Sequence, residues 1–182
     1  LDVAGFINTN MYGGFKQEGH TILMASSTNF GTFVGQGAGR AVLADGTGNT
    51  ALGYKALLVA TSTDSNTAIG GEALTANTIG NQNTAIGNSA MLANITGNEN
   101  VAVGYRSLRS NTYGNYNTSI GVTSLNLNTT GNNNISIGNL AMGTNITGGS
   151  NVAVGNAALR NNQSATSTVA IGYNAAAGGG SY

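Results

Sequence analysis

The chain has 182 residues, enough for one compact domain or one elongated repeat array. Six basic residues balance six acidic ones, and a neutral chain lacks the charge that attracts nucleic acid or an anionic membrane surface, so we expect neither partner. The absence of cysteine excludes disulfides and thiolate metal sites, and no run approaches the ~20 apolar residues of a membrane span, so we expect no membrane insertion.

The start of the chain differs from the rest in its aromatic content. All four phenylalanines, Phe6, Phe15, Phe30 and Phe33, lie in the first 33 residues. Residues 29–39, NFGTFVGQGAG, read as a degenerate first repeat, offset by eighteen residues from the next one. Terminal units of repeat proteins are atypical because they close an exposed hydrophobic end. We therefore predict an N-terminal cap or junction over residues 1–30 and repeats over residues 31–176.

A glycine then recurs at every seventeenth position: Gly53, Gly70, Gly87, Gly104, Gly121, Gly138, Gly155 and Gly172. Positions are counted from this glycine, so that −1 precedes it and +1 follows it. Position −3 is always β-branched, −2 is Ala or Ser, and −1 is a branched apolar residue, which predicts a short strand. Seventeen residues are too few for a helix pair. The period predicts an all-β, parallel β-solenoid (β-roll) of 17-residue coils with two short strands per coil.

The branched apolar column at −1 is predicted to form a buried core ladder. Its members are Ile69, Ile86, Val103, Ile120, Ile137, Val154 and Ile171. The small residues at −2 are expected on the opposite face, where another chain can approach closely. Each coil supplies only about two large apolar side chains, which is a thin core, so we expect a homo-oligomer. A closed homotrimer is the simplest arrangement, and a head-to-tail filament is the alternative.

Asparagine recurs at −4, and Gly and Asn tolerate the backbone conformations of turns. This column is predicted to form a turn ladder joined by amide hydrogen bonds, with members Asn66, Asn83, Asn100, Asn117, Asn134 and Asn151. A second asparagine column at +7 includes Asn-x-Ser/Thr triplets at Asn94, Asn128, Asn145 and Asn162, which are weak candidates for glycosylation. Residues 177–182 are predicted to be a Gly-rich tail.

The strings NTAIG, NVAVG and NTSIG, each followed by xxAL or xxSL, resemble the head repeats of trimeric autotransporter adhesins and related phage tail-fibre repeats. The resemblance covers about residues 49–176, and GNQNTAIGNSA at residues 80–90 is close to that pattern. It implies a left-handed parallel β-roll, a head of three chains, and a role in surface display and adhesion. The repeat of this chain is a few residues longer than the typical adhesin repeat.

Residues that carry chemistry are scarce. The chain has one histidine, His20, and six scattered carboxylates, so we predict no catalytic residue, no metal site and no cofactor. Tyr54, Tyr105 and Tyr173 share position +1 and are candidate contacts for a glycan or host receptor, because tyrosine rings can stack on sugars.

These observations predict a non-enzymatic, structural segment of an extracellular fibre or filament on a cell surface or virion. The alternative is an adhesin or a receptor- or glycan-binding head. The two differ in whether the exposed Asn, Thr and Tyr rows bind a ligand.

Overall fold

The computed structural model describes residues 15–17, 20–25, 30–42 and 46–178, and these form an all-β fold without helices. The strands are β1 (Phe15–Gln17), β2 (His20–Ala25), β3 (Thr32–Val34), β4 (Thr50–Leu52), β5 (Thr67–Ile69), β6 (Thr84–Ile86), β7 (Val101–Val103), β8 (Thr118–Ile120), β9 (Ile135–Ile137), β10 (Val152–Val154) and β11 (Val169–Ile171). They form one sheet in chain order. The predicted parallel β-solenoid is therefore confirmed.

Strands β3 to β11 are parallel and in register, so that equal positions of successive coils lie side by side. Ala85, Ala102 and Ser119, for example, are neighbours across β6, β7 and β8. Within the described coils each repeat contributes one three-residue strand, where the sequence predicted two. The second segment of each coil has a different backbone.

The second predicted strand is absent from the described coils because the backbone is left-handed at positions +2 and +4. In the coil of Gly70, Glu72 has φ 61° and Leu74 has φ 51°, and the same positions are left-handed in the other coils from Lys55 onward. Such alternation prevents an extended strand. The coils are still joined there by backbone hydrogen bonds, such as Leu74 N–H to Ala90 C=O at 3.1 Å. Left-handed backbone costs an L-residue about 1–2 kcal/mol, and burying a leucine contributes a similar or larger amount.

The interior of each coil is narrow. In the coils from Gly53 to Gly155 it holds the small residue at −2, the small residue at +3 and one large side chain at +4, and all are buried. The large residues are Leu57, Leu74, Met91, Leu108, Leu125, Met142 and Leu159. Where serine replaces alanine in the interior, the hydroxyls pair, as in Ser107 Oγ to Ser119 Oγ at 2.7 Å.

The prediction of a buried core ladder at −1 is wrong for the single chain. Ile69, Val103 and Val154 are only partly buried, while Ile86, Ile120, Ile137 and Ile171 are 38%, 39%, 36% and 69% exposed. The side chains do form a ladder along the sheet, but they lie on its outer surface. The physical reason is volume: the side chain at +4 fills the narrow interior, which leaves room only for Ala or Ser at −2.

The first coil fills its interior in a different way. Phe33 pairs with Ala51 and therefore occupies position −2, where it is 2% exposed. Gly39 occupies position +4, counted from Gly35, and a Cβ there would overlap the Phe33 ring. Large and small residues have thus exchanged positions in this coil. Strand β2 pairs antiparallel with β3 at this end of the sheet.

Most of the predicted cap (1–30) and residues 179–182 of the predicted tail lie outside the described residues. Strand β3 already belongs to the solenoid, because it pairs in parallel with β4. The degenerate repeat at residues 29–39 therefore includes the start of the first coil.

The exchange of volume in the first coil can be tested with a double-mutant cycle. We expect Phe33→Ala to lower the free energy of unfolding by about 3–5 kcal/mol because it leaves a cavity. Gly39→Leu should destabilise by about 1–3 kcal/mol or more through overpacking. The double variant recreates an ordinary coil, since leucine has the same left-handed φ at +4 elsewhere. Urea unfolding at one fixed protein concentration should show it to be more stable than either single variant. Simple additivity of the two losses would contradict the exchange.

Candidate functional site

The most extended surface feature is the outer side of the parallel sheet, here called the front face. It consists of positions −3 and −1 of the coils from Thr50 to Ile171. Because side chains alternate along a strand, the buried residue at −2 forces both neighbours outward. Thr84 and Ile86, for example, flank the fully buried Ala85.

The front face carries a continuous apolar row at position −1, beside a mixed row of threonines and branched apolar residues at position −3. Position −1 carries Ile, Val or Leu in every coil, and position −3 carries Thr, Val or Ile. At about 4.8 Å per coil, eight coils extend over roughly 35 Å. A contiguous row of partly exposed apolar side chains is a kind of surface that often marks an interaction site.

The predicted turn ladder at −4 is confirmed as a hydrogen-bonded row, and it lies inside the coils. Asn66, Asn83, Asn100, Asn117 and Asn134 are fully buried, and Asn151 is 1% exposed. The Asn100 Oδ1 accepts from the backbone N–H of Asn117 at 2.9 Å and from its Nδ2 at 3.1 Å. The Asn100 Nδ2 reaches across the coil to the carbonyl of Gly114 at 2.8 Å. One side chain thus joins two coils and closes its own.

A second buried ladder at +7, the inner ladder, was not recognised in the sequence as part of the interior. Asn111 Nδ2 donates to Asn94 Oδ1 and to the carbonyl of Gly114, both at 2.9 Å. The Gly114 carbonyl therefore accepts from both ladders. Asn94, Asn128 and Asn145 are 0% exposed, so these three are inaccessible as glycosylation acceptors in the folded chain.

Glycine at +10 is required by close approach. A Cβ at Gly114 would overlap the carbonyl oxygen of Gly131 and the side chain of Asn111. Ala165 stands at this position in a later coil, and there Asn162 Oδ1 accepts from the Ala165 N–H instead of extending the ladder. The Asn145 Oδ1 is left buried without a partner. The inner ladder ends where the glycine is missing.

The candidate tyrosines lie along one edge of the front face. Tyr54, Tyr105 and Tyr173 are 48%, 44% and 77% exposed. They are separated by three and four coils, or roughly 14 and 19 Å, so the fold does not bring them together. Lys55 and Arg106 stack on the rings of Tyr54 and Tyr105, each at 4.9 Å from the centroid. A side-chain hydrogen bond with Tyr54 raises the pKa of the exposed Lys55.

The acidic side chains that the structure describes do not form a cluster. Asp64, Glu72 and Glu99 belong to three different coils, and among the described residues no group of three or more His, Cys, Asp and Glu side chains could hold a metal ion. His20 lies in β2, at the capped end. The part of the chain that the structure describes has no helix long and apolar enough to cross a membrane.

No protein-family model, curated protein or solved structure matches this chain. The residues and their geometry are therefore the basis for the functional argument.

The importance of the inner ladder can be tested by replacing one amide with a carboxyl. Asn111→Asp removes two N–H donors and faces a buried carboxylate towards Asn94 Oδ1 and the Gly114 carbonyl. We expect a loss of several kcal/mol at pH 7. Burial raises the pKa of the introduced carboxyl above its unfolded value of about 4, so the loss should shrink as the pH falls towards 4.

The matched control is Asn132→Asp, at an exposed member of the asparagine row at +11. Asn132 Oδ1 accepts from the Asn115 N–H at 2.8 Å, a role that a carboxylate can keep, as Asp64 does in the same column. We expect a change below about 1 kcal/mol. Thermal melting of both variants between pH 4 and 7 measures the difference. Equal effects at the two sites would contradict a stabilising role for the inner ladder.

Metal removal provides a separate test. The buried amide oxygens are the one type of cation ligand that the chain has in quantity, but most already accept N–H donors, as Asn100 Oδ1 does twice. We therefore expect the same melting temperature with and without an excess of EDTA. A fall of more than a few degrees would reveal an ion that stabilises the fold.

Proposed function

We propose that this chain is a structural, non-catalytic segment of an extracellular fibre or filament, displayed on a cell surface or virion, and that it self-associates through the front face. The observation that supports the proposal is the continuous apolar strip on the outside of the sheet. The resemblance of the repeats to adhesin heads and tail-fibre repeats points in the same direction.

The energetics favour association. In the coils from Gly53 to Gly155, one Leu or Met at +4 is the large buried apolar side chain, while the Ile and Val side chains of the front face stay partly exposed. Covering the rest of one such side chain contributes on the order of 1 kcal/mol. Repeated over eight coils, this gain is comparable to the total stability of a small domain. Self-association remains the proposal, but through a different surface from the one expected from the sequence. The interface is the apolar front face, because the small residues at −2 fill the interior.

Charges beside the front face favour a parallel arrangement of chains. Glu99 precedes strand Val101–Val103 by two residues and Arg106 follows it by three, so acidic and basic side chains flank the strand on opposite sides. Rotation about an axis parallel to the rod brings the edge of one chain that carries Asp64 and Glu99 towards the edge of the next that carries Arg106. Glu72, an acidic residue on that second edge, offsets part of this attraction. An antiparallel pair would bring like edges together. Three-fold symmetry about such an axis keeps all coils equivalent, and we propose a homotrimer.

The distribution of carboxylates supports a non-catalytic role. General acid–base catalysis needs two or more suitable groups that converge on one point. Asp64 and Glu99 lie on the turn side of the coil and Glu72 on the other, each at a different level of the rod.

Sedimentation equilibrium tests the proposed assembly. We expect the wild-type mass to be three times that of the 18.1 kDa chain. Ile137→Asp should give monomers, because it places charges at the centre of an apolar interface. A wild-type monomer would overturn the proposal.

Ile146→Asp is the control for this experiment. Ile137 and Ile146 are 36% and 37% exposed, but only Ile137 lies on the front face. The control should therefore remain trimeric, with a circular dichroism spectrum like that of the wild type. Dissociation of both variants to the same extent would show that the front face is not the interface.

A further inference from the structure

The side of the solenoid opposite the front face, here called the back face, consists of positions +5 and +6. These residues lie between the inward-pointing side chains at +4 and +7, such as Leu108 and Asn111, and therefore point outward. The preceding residue at +3 contacts the strand across the interior, as Ser107 does with Ser119. The back face consequently remains accessible when the front face associates.

Charge on the described back face is of one sign. Its charged residues are Arg40, Arg109 and Arg160, and all stand at position +5. The described acidic residues are elsewhere: Asp64 at +11, Glu72 at +2 and Glu99 at +12. A chain with no net charge thus presents a purely cationic row on one side.

The polarity of the back face also changes along the rod. In the earlier coils it carries mainly apolar residues: Leu58, Val59, Ala76, Leu92 and Ala93. From Arg109 to Arg160 it carries mostly polar residues: Arg109, Ser110, Asn126, Leu127, Gly143, Thr144, Arg160 and Asn161. Two guanidinium groups therefore bracket one amide and two hydroxyls, together with an exposed leucine and a glycine: Asn126, Ser110, Thr144, Leu127 and Gly143. The backbone positions of the two arginines are three coils, or roughly 14 Å, apart.

Two polar atoms in this stretch have unused hydrogen-bonding capacity. Arg109 Nε and Asn126 Oδ1 are shielded from solvent and have no hydrogen-bond partner in the described chain. They belong to adjacent coils of one column, one as a donor and the other as an acceptor. Buried polar atoms of this kind are uncommon in folded proteins and call for an explanation.

We propose that the back face between Arg109 and Arg160 binds an acidic polysaccharide that runs along the rod. The two guanidinium groups pair with carboxylate or sulfate groups of the glycan, a geometry that arginine can satisfy with two parallel hydrogen bonds. Asn126 turns its shielded Oδ1 outward to accept from a sugar hydroxyl, and the neighbouring hydroxyl and amide groups bind further sugar hydroxyls. This activity goes beyond the structural role proposed above and uses a different surface.

The spacing of the arginines favours a glycan over nucleic acid. Duplex DNA carries one charge per about 1.7 Å of its axis, and proteins that bind it contact the phosphates through dense clusters of basic residues. Arginines roughly 14 Å apart suit a polymer with sparse charges and many hydroxyls.

Isothermal titration calorimetry at low ionic strength tests the site, with hyaluronate as the carboxylate probe and κ-carrageenan as the sulfate probe, because each carries only one charge per disaccharide. Dextran is the neutral probe and duplex DNA is the dense polyanion. We expect at least one acidic polysaccharide to bind, with dextran and DNA much weaker. Arg109→Gln and Arg160→Gln should each weaken that binding by about tenfold, the effect of losing one charged hydrogen-bonding group. Arg109→Lys should weaken it less.

Lys55→Gln is the charge-matched control, because it removes one positive charge at position +2 in an earlier coil. It should leave the affinity within twofold of the wild type. The proposal is overturned if no acidic polysaccharide binds, if the control loses as much affinity as the arginine variants, or if DNA binds as tightly as the glycan. Sedimentation of the same variants separates this result from self-association: the arginine variants should keep the wild-type mass, whereas Ile137→Asp should change the mass.

Discussion

The closure of each coil within seventeen residues depends on buried asparagine amides. A backbone that turns so often places carbonyl groups in the interior, where each needs a donor. The Gly114 carbonyl shows the solution, because it accepts from Asn100 on one side and Asn111 on the other. The amides occupy space that a larger apolar core would otherwise fill. Only one large apolar side chain per coil remains inside, and the Ile and Val residues of the strands are left on the surface.

The sequence predicts the period, the position of the strands and the asparagine row at −4, because each follows from residue type at a fixed offset. It does not predict which strand face is buried. Period-two alternation separates Ala102 from Val101 and Val103 but carries no information about the available volume, which depends on Leu108 across the coil. The sequence also predicts two strands per coil where the structure has one. The second segment is left-handed at Glu72 and Leu74, and these residue types rarely adopt that backbone conformation, so the sequence does not indicate it.

For the candidate sites, too, the sequence predicts the position of each residue in the repeat but not its spatial relation to the others. Position +1 places the tyrosines correctly on one edge, but their separation by whole coils follows only from the stacking. The arginines at +5 could have been found in the sequence, since Arg109 and Arg160 are separated by three repeats. The signal was weak because the intervening members of the column are Asn126 and Gly143. The column became a candidate site only when the structure placed it on the back face, away from the described acidic residues.

The hydrogen bonds between coils join immediate neighbours, as Asn100 does with Asn83 and Asn117. An in-frame duplication or deletion of one repeat would therefore leave every remaining contact type intact, and rod length can vary during evolution in steps of about 4.8 Å. The same event between Arg109 and Arg160 would shift the distance between the two cations by one step. The number of repeats between the two arginines then sets the distance between their charges, and homologous chains that differ by a single coil would select glycans of different charge spacing.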